Sequence, residues 1–197
     1  MARKGPVTRN ASTAAAGLAK ILVGPSAANK ANTAQVLNTT TASIGALANT
    51  RFRGNTDWLK LESGFPLMED YAIPIRESAA LECSFKEITA YNMNLAYGLD
   101  PAAYTSTTSG EVLLGSRSAP VYVRMEAIYT YPDLHTMTMI FPVAQVTSAI
   151  EMDLPQEDWA AVPITFESKN ASSDNTTNGH AVWDSCPLGV IRWAAAP

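Results

Sequence analysis

Between residues 119 and 168 apolar side chains recur at every second position, and this period of two limits the fold more than anything else in the chain. Val121, Val123, Met125, Ala127, Tyr129 and Tyr131 share one parity, with Tyr122, Arg124, Glu126 and Thr130 on the other. A helix would need a period near 3.6, so this is a strand with one face toward a core. Pro132-Asp133 supplies a turn, after which Met137, Met139 and Phe141 align. Val146, Ser148, Ile150, Met152 and Leu154 then face one way, and Thr147, Ala149, Glu151 and Asp153 the other. A turn at Pro155-Gln156-Glu157-Asp158 leads to Val162, Ile164 and Phe166, opposed by Thr165 and Glu167. Successive hairpins with one apolar and one wet face predict a mainly β fold, an antiparallel sandwich or barrel.

The flanks add shorter elements. Ala19 to Pro25 reads as a first strand closed by Gly-Pro. Trp58–Glu62 and Tyr71–Arg76 are short strands, and Pro74 confines the second to an edge or a bulge. Leu81, Cys83 and Phe85 alternate with Glu82 and Ser84 and lead into the one helix. Ser84-Phe85-Lys86-Glu87 has the form of a capping box, Ile88, Tyr91 and Leu95 make an apolar stripe, and Gly98 with Pro101 ends the helix. Residues 170–185 are polar and loop-like, and Leu188–Trp193 makes a final strand. Residues 5–50 are dominated by Ala, Thr, Ser and Asn. They read as an N-terminal arm over 1–18 and a long loop around 25–58, both ordered against something else, beside one β domain spanning 19–197.

Charge is scarce: charged residues make up 16% of the chain and apolar residues 47%, against roughly 25% charged in soluble domains. The net charge of −4 argues against a dedicated nucleic-acid binder, and no apolar run approaches the roughly 18 residues of a spanning helix. The basic start, Met-Ala-Arg-Lys-Gly-Pro, has no apolar stretch behind it, so no secretory signal is expected. The balance is uneven along the chain. Residues 1–60 carry eight basic side chains against Asp57 alone, a net of +7, while the remainder carries six basic and seventeen acidic, a net of −11. Such a chain can attract its own copies head to tail, or place the two signs on opposite sides of one molecule.

No phosphate loop, nucleophile elbow, His-Glu-x-x-His or Cys-x-x-Cys is present. His135 and His180 sit beside a turn and in a loop, positions of surface residues. Glu151 and Asp153 share a strand face, and a solvated face explains them better than a metal site. Cys83 reads as core, while its pairing with Cys186 is left open. No catalytic residue, cofactor or metal is expected, and the chain does not read as an enzyme.

The order of elements resembles that of bacteriophage tail tube proteins (major tail proteins). The resemblance rests on Ile73-Pro74-Ile75-Arg76-Glu77-Ser78, the strand–helix unit from Leu81 to Gly98, and Phe141-Pro142-Val143-Ala144-Gln145-Val146. It continues through Ile150–Leu154 to Val162–Glu167 and covers about residues 70–170. It implies a β-sandwich flanked by one helix, with six copies in a ring and rings stacked into a hollow tube through which DNA leaves the virion. The implied partners are further copies of the chain and other tail proteins, such as sheath, tape measure, baseplate or terminator. DNA would pass without specific binding, no membrane is involved, and assembly would take place in the host bacterial cytoplasm. Ring closure would pair edge strands, and burial between subunits would account for the scarcity of charge. The expected lumen lining is Thr147, Glu151, Asp153, Thr165 and Glu167. For ring stacking, Arg51, Phe52, Arg53 and Trp58 would meet Glu69, Asp70, Glu157 and Asp158 of the next ring. The alternatives are a capsid decoration or head–tail joining protein, and a β-sandwich binding module.

Overall fold

The alternation at 121–131 and 137–141 becomes a hairpin in a computed structural model that describes residues 19–37, 42–65, 68–99, 110–115, 119–132, 134–147, 150–152, 154 and 159–195. Its strands are β4 (Tyr122–Thr130) and β5 (Thr136–Val146). The turn between them is closed by Tyr131 N–H donating to the His135 carbonyl at 2.9 Å, with Leu134 at φ +69°. Around this hairpin run β1 (Lys20–Pro25), β2 (Leu47–Ser63), β3 (Met68–Phe85), β6 (Val162–Ser168) and β7 (Val190–Ala194). All pairings are antiparallel, in the order β1-β4-β5-β6-β3-β2. The path branches at β5, whose first half pairs β7 and whose end pairs β6. The predicted inner parity forms one core: Ile21 and Val23, Val123 and Met125, Phe141, Ile164 and Phe166, Leu81, Cys83 and Phe85, covered by Leu95 of helix α2 (Ala90–Ala96). The architecture is mainly antiparallel β with a flanking helix, as the alternation predicts.

The helix ends where expected but starts later. Gly98, at φ +70°, donates to Leu95 O, and Leu99 N–H reaches Asn94 O, both at 2.9 Å. These are the two bonds of a Schellman cap, for which a glycine at positive φ is suited. The expected capping box at Ser84 does not form. Phe85 is needed in the core, opposite Val162, so β3 runs through Ser84. Thr89 caps instead, its Oγ1 accepting from Asn92 N–H at 3.1 Å. Glu87 turns to the Ala46 amide at 3.0 Å.

Two further expectations change. Among the described residues the run 146–154 does not continue as a strand. β5 stops at Val146, and Thr147 and residues 150–152 carry no ladder. Both edges of β5 are already occupied, and its partner β4 begins at Tyr122, just after Pro120, which has no amide to donate. The loop expected around 25–58 is also shorter. It comprises the helical turn α1 (Ser26–Asn29), a strap over 30–37 and a return past β1, after which β2 is already a strand at Leu47.

That strap buries the face of β4 expected to be wet. Arg124 and Glu126 have no solvent exposure. Arg124 Nε donates to Glu126 Oε1 at 2.7 Å, and its terminal nitrogens donate to the carbonyls of Asn29, Asn32 and Ala34 at 3.1, 2.6 and 2.7 Å. Glu126 accepts the amides of Val36 and Leu37 at 3.1 and 3.0 Å. The ring of Trp183, fully buried in a 3-10 turn at Ala181–Trp183, lies 6.0 Å from the guanidinium, and its indole N–H donates to the Lys30 carbonyl. The pair thus holds the strap by its main chain. Charge out of water is tolerated here because nearly every donor and acceptor is matched. Opposite Arg124 the β4–β5 register slips, and Pro142 occupies the slip without leaving an amide unpaired.

Arg124→Met leaves Glu126 buried without its partner and is expected to cost about 3–5 kcal/mol in urea unfolding. It should also open residues 29–37 to protease, while Arg124→Met with Glu126→Leu recovers part of the loss.

Candidate assembly interface

β2 and β3 form a hairpin much longer than the sheet that carries it. β6 pairs only Ala80–Phe85 of β3. From Gly54 opposite Ala79 to the tip, the two strands pair only with each other among the described residues. β2 also ends the strand order, so along its 17 residues the outer edge has no partner strand among the described residues. An isolated two-stranded ribbon is marginal in water, and this one is apolar where it is least supported. Leu59 faces Ile73 and Leu61 faces Tyr71 in one ladder, with Trp58 opposite Pro74 on the other side. Trp58 is 53% exposed, Leu61 62%, and Phe65 at the tip fully exposed. Pro74 adjoins a register shift on the stretch of β3 that only β2 pairs, the edge or bulge position predicted for it.

Polar contacts stiffen the ribbon locally. Lys60 Nζ meets Glu69 Oε2 at 2.5 Å, and this hydrogen bond is the first cause raising the lysine's pKa. Ser63 Oγ donates to Asp70. Exposed pairs of this kind add little stability. Arg51, Phe52, Arg53, Trp58, Glu69 and Asp70 therefore all lie on one hairpin, with Glu69 and Asp70 engaged inside it. Glu157 and Asp158 lie outside the described residues.

A second face is polar. Directly opposed residues share a side of the sheet, which gives a row Arg51–Glu82–Thr165 and a row Arg53–Ala80–Glu167–Gln145. Arg53 Nη2 lies 3.1 Å from Glu82 Oε2, and Lys169 Nζ 2.7 Å from Glu167 Oε2. The Lys169 hydrogen bond is the main reason the Glu167 carboxyl sits below the usual carboxylate range. Partial burial opposes it, while the Lys169 charge, the Thr147 hydroxyl and Arg76 add to it. Thr147, Thr165 and Glu167 thus come together. Glu151 is exposed beyond the end of β5, and Asp153 lies outside the described residues. Arg51 and Arg53, read from sequence as stacking residues, stand on the same face as Thr165 and Glu167. Sequence reasoning missed Glu82, Arg76 and Lys169. The alternation of Glu82 with Leu81 and Cys83 was the available signal for the first.

Beside the hairpin root lie two adjoining polar clefts. One, of about 430 Å³, is lined by Arg76, Glu77, Ser78, Glu167 and Lys169 among others. The other, of about 470 Å³, includes Asn170, Asp174 and Asp184. Asp184 accepts the Ser173 amide at 2.8 Å, which lowers its pKa. Among the described residues no group of three or more His, Cys, Asp or Glu side chains is placed to hold a metal ion. Cys83 and Cys186 are free thiols, and burial pushes the Cys83 pKa up to about 12. His135 stacks on Tyr131 at 4.3 Å, and His180 caps the 3-10 turn.

No protein-family model matches the chain, and no curated protein matches it. Among solved structures, it is similar to a chain of the "Virion of native gene transfer agent (GTA) particle", at 13% identity and a TM-score of 0.42. That match covers 89% of this chain and 95% of the other. It is also similar to a chain of the "Tail of empty GTA particle computed with helical refinement, C6 symmetry", at 14% identity and a TM-score of 0.37, covering 78% and 85%.

If the ribbon is an interface and not a support of the core, Trp58→Thr with Leu61→Thr and Ile73→Thr costs only the cross-strand contacts within the ribbon, about 1–2 kcal/mol in all. The same substitutions should abolish self-association in sedimentation velocity.

Proposed function

We propose that the chain is a structural subunit of a phage-type tail tube, closing into rings, six-fold in this reading, that stack around a channel for DNA. The observation that carries the proposal is the β2–β3 ribbon, whose outer edge has no partner strand among the described residues and lies beside an exposed apolar ladder. Each such side chain is worth about 1.5–3 kcal/mol when buried, and a second copy of the same chain is a partner always at hand. The kind of assembly comes from the element order over 70–170, which resembles tail tube proteins.

In this reading the ribbon, with Phe52, Trp58, Glu69 and Asp70, reaches between subunits, and Glu157 and Asp158 belong to the same contacts. The polar face carrying Thr147, Thr165 and Glu167 borders the channel, and Glu151 and Asp153 are assigned to the same lining. Arg51 and Arg53 move from the stacking set to this lining. The work is mechanical: the subunit builds a conduit and catalyses nothing.

Negative-stain microscopy of the purified chain tests the proposal. Tubes of uniform diameter built from stacked rings are expected, and the Trp58, Leu61 and Ile73 triple variant should yield none. Wild-type protein that stays monomeric at tens of micromolar across salt conditions, with or without tail-tip initiator, would overturn the reading.

A further inference from the structure

A ring needs two different surfaces on each subunit, because an edge that pairs with its own copy closes a two-fold dimer and stops. The outer edge of β2 is one surface, and few edges of the sheet remain for the other. β1 is closed by its own chain: Val23 N–H donates to Ala42 O at 2.8 Å, Ile44 N–H donates to Ile21 O at 3.1 Å, and Ile44 is fully buried. β4, β5 and β6 are paired on both sides. The far edge of β3 beyond Ala80 carries Pro74, which has no amide. It also carries the extra residues, Ile75 and Asp70, of the two register shifts beyond Gly54. Among the described residues that leaves β7, which pairs β5 along one edge only.

We propose that β7 is the complementary surface, and that the ribbon of a second copy of this chain pairs along it. Charge points to the match. Glu62 stands directly across from Glu69, a like-charge pair in which Lys60 bonds Glu69. Arg192 is exposed on β7, and among the described residues it makes no ion pair. An antiparallel register that sets Arg192 opposite Glu62 also sets Trp193 opposite Leu61. Those two apolar side chains are 64% and 62% exposed in the single subunit. Alternate residues of a strand point to opposite sides of the sheet, so the ion pair forms on one side and the apolar pair on the other. The contact covers the ribbon near its tip, where β6 no longer supports it. The inference rests on the tube reading for ring closure, whereas the match between β2 and β7 is a property of the two edges.

Sedimentation velocity on the full chain tests this by charge exchange. Arg192→Glu alone and Glu62→Arg alone should each weaken self-association at least about tenfold, since either sets like charges against each other. The chain carrying both substitutions should associate as wild type does, and an equimolar mixture of the two single variants should also recover. Arg192→Glu that associates like wild type, or a double variant no better than Arg192→Glu, overturns the proposal. Cysteine cross-linking in a Cys186→Ser chain gives a second reading. Glu62→Cys together with Arg192→Cys should form disulfide-linked ladders of three or more chains under oxidation. Failure of that pair to form ladders, or ready dimers from Glu62→Cys alone, overturns the proposal, the latter because β2 edges would then meet each other. Wild type that never associates removes the tube reading along with this one. Wild type that forms tubes, with Arg192→Glu forming them equally well, removes this one alone.

Discussion

Every amide and carbonyl of β2 that points away from β3 needs a partner, and among the described residues the sheet offers no strand there along 17 residues. Water can serve an exposed edge, but it cannot also make an apolar ladder stable. Leu59, Leu61, Tyr71 and Ile73 stand where β6 no longer supports the hairpin. Natural sheets blunt long edges with charge, bulges or cover. Here there are bulges and a few ion pairs, but the apolar side chains remain exposed. In the proposed assembly this surface is the one that another copy of the chain completes.

The opposite side of the sheet is handled in the reverse manner. β1 is short and backed by the strap, and the outer face of β4 is closed by a buried ion pair gripping main-chain groups. Arg124 and Glu126 contribute less to net stability than a well-packed apolar pair of equal volume. They do set one register for a strap of small polar residues that has little apolar area of its own to dock. One side of the sheet is therefore closed internally, while the ribbon on the other stays exposed.

What could be read from sequence follows from which residues are buried on one side only. The inner parity of β4, β6 and the end of β3 was legible because one-sided burial imposes alternation. Gly98 was legible as a helix stop because a positive φ calls for glycine. The extent of β2 was not, since a ribbon exposed on both faces has no alternation to display between Asn49 and Thr56. Ser84 carried a valid capping signal that lost to the burial of Phe85 next to it. Arg124 and Glu126 looked like a wet face because the strap that covers them lies some 90 residues away in the chain. The polar site was half legible: Thr165 and Glu167 follow from parity, whereas their meeting with Arg51 and Arg53 depends on β3 bridging β2 to β6.

The +7 and −11 halves of the sequence suggested attraction between separate basic and acidic regions. In the fold part of that attraction is satisfied within the chain, between Arg53 and Glu82 and between Lys60 and Glu69. In the proposed assembly, apolar surface on the ribbon, more than charge, drives association. Hydrogen–deuterium exchange before and after assembly addresses this most directly. Amides of 54–63 and 68–79 should exchange quickly in the dispersed subunit and slow by orders of magnitude in assembled material. Assembly that leaves those amides exchanging as fast as in the free subunit would contradict the ribbon as the interface.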